Sequence, residues 1–208
     1  MTNLKILFIG NSKKFINPFL NYYKCTQYDV IDWRRVSSNL SKYNADIIIV
    51  LGFNHNLYHK SFSYFIENNV DKPYKFIKNN FSKNKTLIYI DTMPPEKTYT
   101  FSRYLYAKRL LLERLYDLNS KITQLSFPTI INNSRVPELY ANIFEKILGY
   151  IFLKIKKTET ILVDEIESFI KDNIEISKEI KIKFRIQPKL LNIRRTRLID
   201  KLLRIIYG

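Results

Sequence analysis

The segment from Ala45 to Gly52, with its uninterrupted apolar run at Ile47–Leu51, constrains the fold of this chain more than any other feature. The segment reads Ala-Asp-Ile-Ile-Ile-Val-Leu-Gly, so its β-branched side chains do not alternate with polar ones. Such a run predicts a strand that is buried on both faces, and strands of this kind occur in parallel sheets. Four further strand-like segments are predicted to belong to the same sheet: Leu4–Ile9, Tyr28–Trp33, Lys85–Asp91 and Ile122–Phe127.

Segments with helical spacing alternate with these strands. We predict helices over residues 14–24, Val36–Tyr43, 60–80, Tyr99–Leu118 and Val136–Ile155. Strand and helix in alternation, five times over, predict an α/β fold with a Rossmann-like, doubly wound parallel sheet and helices on both faces. Residues 92–97 contain two prolines and are predicted to form a loop.

The remaining part of the chain predicts a small extension. We assign residues 1–157 to the Rossmann-like core and residues 158–208 to a C-terminal extension packed on it. The elements predicted in the extension are a strand at Thr160–Val163, a helix at Asp164–Lys171 capped by Asp164, an edge strand at Ile180–Ile186 and a helix from Pro188 to Tyr207.

Positive charge is concentrated at the C-terminal end. The net charge is +16, and residues 181–208 carry nine Lys and Arg against one Asp. The charge favours an anionic partner, and the last helix is basic and amphipathic. Three interpretations of residues 188–208 stay open: packing on the domain itself, binding to an anionic membrane surface, or docking on a protein or nucleic acid. Nucleic acid is the least favoured, because no known nucleic-acid-binding module accompanies the charge.

The location predicted from the sequence is cytoplasmic. There is a single cysteine, Cys25, which excludes an internal disulfide and is typical of a reducing compartment. The N-terminus shows no secretory signal, and no apolar run reaches the roughly 18 residues of a membrane span. If the C-terminal helix binds lipid, the protein would lie at the inner face of the membrane.

A nucleotide site is indicated where the first two strands end. In dinucleotide-binding folds a glycine-rich turn follows the first strand, and an acidic residue about 20 positions later binds the ribose. Here Gly10 ends the first strand and Asp32 follows 22 positions later, but Lys13 and Ile16 stand where further glycines are expected. The predicted binding residues are Gly10, Ser12, Lys13, Asp32 and Arg34. The alternatives are a solvated loop at 10–16 and ordinary surface charge at Arg34.

A candidate acid–base pair lies on the helix after the fourth strand. Tyr104 and Lys108 are four residues apart and share one helical face. A lysine beside a phenol favours the phenolate and lowers the tyrosine pKa, as a tyrosine general acid or base requires. Thr92, at the end of the fourth strand, is placed to hydrogen-bond the same substrate oxygen. Tyr106 is the rival tyrosine, but no lysine lies four residues after it.

These residues carry a family resemblance. The segment from Lys85 to Thr129 resembles extended short-chain dehydrogenases/reductases of the nucleotide-sugar epimerase and dehydratase type, through Thr92, the Tyr104–Lys108 pair and Leu125-Ser-Phe-Pro-Thr129. The resemblance extends weakly to Ala45–Gly52 and to Gly10 with Asp32. It implies NAD(P) as cofactor, a nucleotide sugar as ligand and surface polysaccharide biosynthesis as the setting. It also implies that Tyr104 moves a proton, Lys108 lowers its pKa and Thr92 orients the substrate oxygen.

The departures from that family leave activity open. The glycine motif is incomplete, and the chain is short for the substrate-binding part that such enzymes carry. The first alternative is therefore a catalytically inactive binding or scaffold protein, membrane-associated through its basic helix, and the second is a nucleic-acid-binding protein. No metal is expected, because His55 and His59 alone do not provide three ligands. Cys25 has no neighbouring base in the sequence to make it a nucleophile.

Overall fold

The computed structural model describes residues 4–36, 41–82, 84–92, 99–100, 102–118, 122–133, 147, 159–174, 185–186 and 199. The strands in this part of the chain are β1 (Lys5–Ile9), β2 (Gln27–Ile31), β3 (Ile47–Val50), β4 (Thr86–Thr92), β5 (Tyr99–Thr100), β6 (Ile122–Phe127), β7 (Thr129–Ile131), β8 (Thr160–Leu162) and β9 (Arg185–Ile186). Five of them form one parallel sheet in the order β2-β1-β3-β4-β6. The predicted Rossmann-like α/β class is confirmed.

Helices cover both faces of this sheet. They are α1 (Lys13–Tyr23), α2 (Phe62–Ile66), α3 (Lys72–Asn80), α4 (Arg103–Leu118) and α5 (Ile166–Asn173), and a π-helical turn at Glu67–Asp71 joins α2 to α3. Helices α1 and α5 pack on one face, and α2, α3 and α4 pack on the other. Short 3-10 turns occur at Trp33–Arg35, His55–Leu57 and Val163–Glu165.

Two separate cores result from the strand periodicity. Ile6 and Phe8 of β1 contact the α1 and α5 face, while Leu7 and Ile9 contact the α3 and α4 face. All four are completely buried, and burial of one such side chain contributes about 1.5–3 kcal/mol. A strand that must fill two cores cannot alternate with polar residues, which explains the continuous apolar runs in the sequence.

Two small parallel pairings connect later parts of the chain to this core. Strand β8 pairs with β7, which follows β6 almost directly, and β9 pairs with β5, which lies between β4 and α4. Helix α5 packs against α1, where the side-chain amide of Asn21 donates to Glu167 Oε2 at 2.9 Å. The assignment of residues 158–208 to a separate extension stays a prediction.

Several predicted boundaries are wrong. Helix α4 begins at Arg103 and not at Tyr99, because the Ser102 hydroxyl accepts from the Leu105 N–H at 3.3 Å and so caps the helix there. The predicted helix at Val36–Tyr43 is not formed by the described residues 41–43, and the chain instead makes the 3-10 turn at Trp33–Arg35. Asp164 lies inside a 3-10 turn, and α5 begins only at Ile166.

Other predicted elements lie outside the described residues. These are the loop at 93–97, the helix at Val136–Ile155 apart from Ile147, the edge strand at residues 180–184 and the helix at Pro188–Tyr207 apart from Ile199. Ile147 and Ile199 are both helical and exposed. Within the parts of the chain that the structure covers, no helix is both long enough and apolar enough to cross a bilayer.

Candidate functional site

The carboxyl ends of the parallel strands define the edge where ligands bind in folds of this class. Gly10 follows β1, Asp32 follows β2, and Gly52 lies just after β3. Thr92 is the last residue of β4, and its backbone pairs in register with Phe127. All the predicted site residues therefore belong to this one edge or to the helices that begin there.

Gly10 is required by the approach of two backbones. Its N–H donates to the Ile31 carbonyl at 2.8 Å, and its φ of +113° is a conformation that side chains rarely adopt. A Cβ at Gly10 would lie 2.6 Å from both Cα and N of Gly52. The glycine thus lets the turns after β1 and β3 touch, so the space beside it is occupied by the protein itself.

Trp33 packs at the carboxyl ends of β2 and β3. A Cβ at Gly52 would lie 2.3 Å from Cε3 and 2.8 Å from Cδ2 of Trp33, so the indole rests directly against the glycine backbone. Trp33 is 6% exposed. It follows Asp32 in the sequence, at the point where a dinucleotide fold holds the ribose.

A buried asparagine fixes this indole. Trp33 Nε1 donates to Asn69 Oδ1 at 3.1 Å, and Asn69 is 1% exposed. The same oxygen accepts from the Asn54 N–H at 2.8 Å, and Asn69 Nδ2 donates to the Asn54 carbonyl at 3.3 Å. This Trp33–Asn69–Asn54 cluster, named the indole clasp below, joins the loop after β2 to the loop after β3. Sequence reasoning missed it, although the position of the single tryptophan beside Asp32 was a signal.

Asp32 is engaged by its own turn. Its Oδ1 accepts from the Arg34 N–H at 2.8 Å and from Arg34 Nε at 3.3 Å. The pKa of Asp32 is lowered, mainly by the backbone hydrogen bond from Arg34 and further by the Arg34 and Arg35 charges. The structure thus brings two predicted binding residues together as partners of each other. Their contact with a ribose stays a prediction.

The turn after β1 opens helix α1 without a side-chain cap. The Ser12 carbonyl accepts from the N–H groups of Phe15 and Ile16, while the Ser12 side chain makes no cap hydrogen bond. Lys13 is exposed, whereas Ile16 is buried in the core between α1 and the sheet. Ile16 therefore takes the place where a dinucleotide fold uses glycine for close contact of helix and strand.

These residues do not fit the adenosine half of NAD(P). The indole of Trp33 lies against Gly52, beside the strand end that would hold the ribose. The carboxylate of Asp32 already accepts two hydrogen bonds from Arg34. Lys13 carries a side chain in the turn where backbone must approach a pyrophosphate, and Ile16 carries one where helix and strand must pack closely.

The Tyr104–Lys108 pair lies at the other part of the edge, near the end of β4. Lys108 is buried, and its Nζ donates to the Ile90 carbonyl at 2.6 Å. The ammonium lies 5.6 Å from the centroid of the Tyr104 ring and 5.4 Å from that of Tyr89. Lys108 thus contacts ring faces and backbone, and both predicted residues are brought together by α4.

Asp91 is a member of this site that sequence reasoning missed. Its Oδ1 lies 3.9 Å from Lys108 Nζ, and both side chains are largely buried. Gln124 Nε2 donates to Asp91 Oδ2 at 2.9 Å and to Ser126 Oγ at 3.3 Å. An acidic residue at the end of a buried strand, directly before Thr92, was the signal in the sequence.

Tyr89 and Tyr104 flank the Lys108–Asp91 ion pair in different ways. The Tyr89 hydroxyl donates to the Lys108 carbonyl at 2.9 Å, and burial, with the Asp91 charge second, raises the Tyr89 pKa well above its ordinary value. The Tyr104 ring is half-buried and meets the Phe53 ring edge-on, with centroids 4.7 Å apart. Tyr104 is therefore the more accessible of the two tyrosines, and Tyr89 is an interior one.

Arg103 supports the start of α4 beside Tyr104. It is completely buried, and its Nη1 donates to the carbonyls of Tyr58 and Lys60 at 3.3 and 2.9 Å. Its guanidinium lies over the Phe62 ring at 5.4 Å. A buried arginine held in this way fixes the orientation of α4 relative to the loop after β3. Among the residues that the structure describes, no group of three or more metal-ligating side chains occurs.

Comparisons with known proteins agree with this architecture. The dTDP-4-dehydrorhamnose reductase of Bacillus anthracis, solved in complex with NADP, is similar with a TM-score of 0.55 and 14% identity, covering 85% of this chain and 72% of its own. A GDP-L-fucose synthetase from Naegleria fowleri bound to NADP is similar with a TM-score of 0.54 and 13% identity, and the match covers 90% of this chain and 72% of the synthetase. A GalE-like L-threonine dehydrogenase from Cupriavidus necator is similar with a TM-score of 0.51 and 10% identity, and the match covers 88% of this chain and 66% of the dehydrogenase.

At these identities the likeness shows the fold alone. The expected resemblance to extended short-chain dehydrogenases/reductases is confirmed at that level. No family model matches the chain, and no curated protein matches it in sequence.

Proposed function

We propose that this chain binds a nucleotide sugar at the carboxyl edge of its sheet, beside Tyr104, and does so without hydride transfer from NAD(P). As part of this proposal, the protein acts in the cytoplasm as a divergent relative of nucleotide-sugar enzymes, in surface polysaccharide biosynthesis. The proposal combines the nucleotide-sugar ligand that the family resemblance implies with the inactive binding-protein alternative that the incomplete glycine motif left open.

The cluster around Lys108 carries the proposal. Lys108 Nζ is 3.9 Å from Asp91 Oδ1 and 2.6 Å from the Ile90 carbonyl, so the ammonium charge is compensated from inside the protein. A lysine bound in this way holds Tyr104 in place through its ring face. The half-buried phenol of Tyr104 then provides both a hydrogen-bonding group and an aromatic surface for a sugar ring.

The path of the chain supplies the positive charge that a diphosphate requires. Strand β9 (Arg185–Ile186) pairs with β5 (Tyr99–Thr100), which precedes α4 by only a few residues. Arg185 and Ile186, the described part of this pairing within the basic segment 181–208, are thereby anchored next to the helix that carries Tyr104. Lys and Arg side chains bind phosphate oxygens by charge-assisted hydrogen bonds, so this segment is the proposed source of phosphate contacts.

Thermal unfolding with a panel of ligands tests the proposal. The panel contains UDP-, dTDP- and GDP-linked sugars, the matching nucleoside diphosphates and the free sugars. A nucleotide sugar at 100 times its Kd stabilises by about 2.7 kcal/mol, which for a chain of this size raises Tm by roughly 5–11 °C. Free sugars should produce no shift, because they lack the phosphates.

A pair of tyrosine variants locates the binding. Tyr104→Phe should weaken affinity for the nucleotide sugar about 5- to 10-fold, since one hydrogen bond contributes about 1 kcal/mol. Tyr106→Phe is the matched control, because Tyr106 lies on the same helix against Phe62, with ring centroids 5.6 Å apart. Equal loss in both variants, or no shift with any nucleotide sugar, would refute the proposal.

A further inference from the structure

The single tryptophan of the chain lies just after β2, beside the residue with which a dinucleotide fold holds the adenosine ribose. Asp32, the residue that would bind the ribose, immediately precedes Trp33, and Gly52 lies under the indole with less room than one methyl group needs. Indole and adenine are both flat bicyclic aromatic groups. We infer that Trp33 is a built-in plug of the nucleotide crevice, held by the indole clasp, which excludes NAD(P) and other adenine nucleotides.

The hydrogen bonds of the indole clasp make the plug part of the interior. Asn69 Oδ1 accepts from both Trp33 Nε1 and the Asn54 N–H, and Asn69 Nδ2 donates to the Asn54 carbonyl. Moving the indole out would leave Nε1 and part of the Asn69 oxygen without these partners in a buried place. A flexible side chain lying over an open pocket would not be tied to an asparagine that is 1% exposed.

The contacts below the indole also belong to the plug. Gly10 and Gly52 touch through their backbones, so the two strand ends leave no gap between them beneath Trp33. Asp32 is turned to the N–H and Nε of Arg34. The same glycine that marks a dinucleotide site in the sequence therefore serves here to close it.

Intrinsic fluorescence tests this inference on the unmodified protein. Because Trp33 is the only tryptophan, its emission reports on the crevice alone, and reduced nicotinamide accepts energy from a nearby indole. Titration with NADPH to millimolar concentration should cause no saturable quenching, and NADPH should shift Tm by less than about 1 °C. Saturable quenching or a larger shift would overturn the inference, and this arm needs no variant.

A cavity variant tests the plug from the opposite direction. Trp33→Ala should open a cavity of indole shape, and apolar cavities of this kind bind the matching aromatic molecule. Free indole should raise the Tm of Trp33→Ala by several degrees, whereas Trp33→Phe, which keeps an aromatic ring in place, should respond by less than about 1 °C. Equal responses of the two variants would also overturn the inference.

The outcome is independent of the proposed function. The plug lies at the ends of β1, β2 and β3, and the proposed nucleotide-sugar site lies at the end of β4 and the start of α4. NADPH binding by the native protein would refute the plug, and nucleotide-sugar binding would still be tested separately by the ligand panel. A failed sugar panel with no NADPH binding would remove the proposed function and leave the plug.

Discussion

Substitution of Gly52 by alanine measures how tightly the indole is packed. The new Cβ would lie 2.3 Å from Trp33 Cε3 and 2.8 Å from Trp33 Cδ2. Because Trp33 is buried and hydrogen-bonded to Asn69, the ring cannot swing away. Overpacking of this kind costs about 1–3 kcal/mol, so Gly52→Ala should lower Tm by roughly 2–12 °C in a chain of this length.

The same substitution should be much less costly when the indole is absent. In Trp33→Ala the closest remaining contact of the new Cβ is Gly10 Cα at 3.1 Å, which a small backbone shift can relieve. The double-mutant cycle should therefore give a favourable coupling of about 1–3 kcal/mol between positions 33 and 52. Urea unfolding followed by circular dichroism measures all four proteins, because it does not depend on the tryptophan.

Gly10→Ala is the matched control for this cycle. Its Cβ would clash with the Gly52 backbone at 2.6 Å and not with the indole, and its φ of +113° strains any side chain. Its cost should therefore be the same with and without Trp33. If Gly52→Ala were equally costly in both backgrounds, the indole would not be the group that Gly52 accommodates, and the reasoning would be wrong.

Three further outcomes are expected. The pKa of Asp32 is lowered on folding. Its contribution to the free energy of unfolding is therefore present above the pKa of the unfolded chain and is lost as pH falls through the pKa of the folded protein. Acid unfolding curves should accordingly separate native protein from Asp32→Asn at neutral pH and converge in acid. Lys108→Met should cost about 3–5 kcal/mol by leaving the buried Asp91 carboxylate without its ammonium partner, and adding Asp91→Asn should recover most of that loss in urea unfolding. If residues 188–208 bind anionic lipid, their removal should abolish co-sedimentation with phosphatidylserine vesicles, whereas unchanged sedimentation would exclude that role.

The sheet could be predicted because each of its strands is indicated by residues that are consecutive in the sequence. A strand that contacts two cores must be apolar throughout, so β1 and β3 were found from their residues alone. The start of α4 was misplaced because the helix was extended over Tyr99 and Thr100, although tyrosine and threonine favour strands over helices. The pairing of these residues with β9, some 85 positions away, decides between the two, and a local pattern does not contain that information.

The candidate site shows the same division. Gly10, Asp32, Tyr104 and Lys108 were found because their spacing along the chain is a motif. Asp91 and the indole clasp were missed because their contacts join residues that are distant in sequence, such as Trp33 with Asn69. Gly10 also shows that a motif residue can keep its position while its surroundings change, since the neighbour it accommodates is Gly52.

Isothermal titration calorimetry of the native protein with NADPH and with a dTDP- or GDP-linked sugar, side by side, tests the account most directly. The account predicts saturable heat with a nucleotide sugar and none with NADPH. Saturable NADPH binding without any response to nucleotide sugars would contradict both the closed crevice at Trp33 and the proposed site at Tyr104.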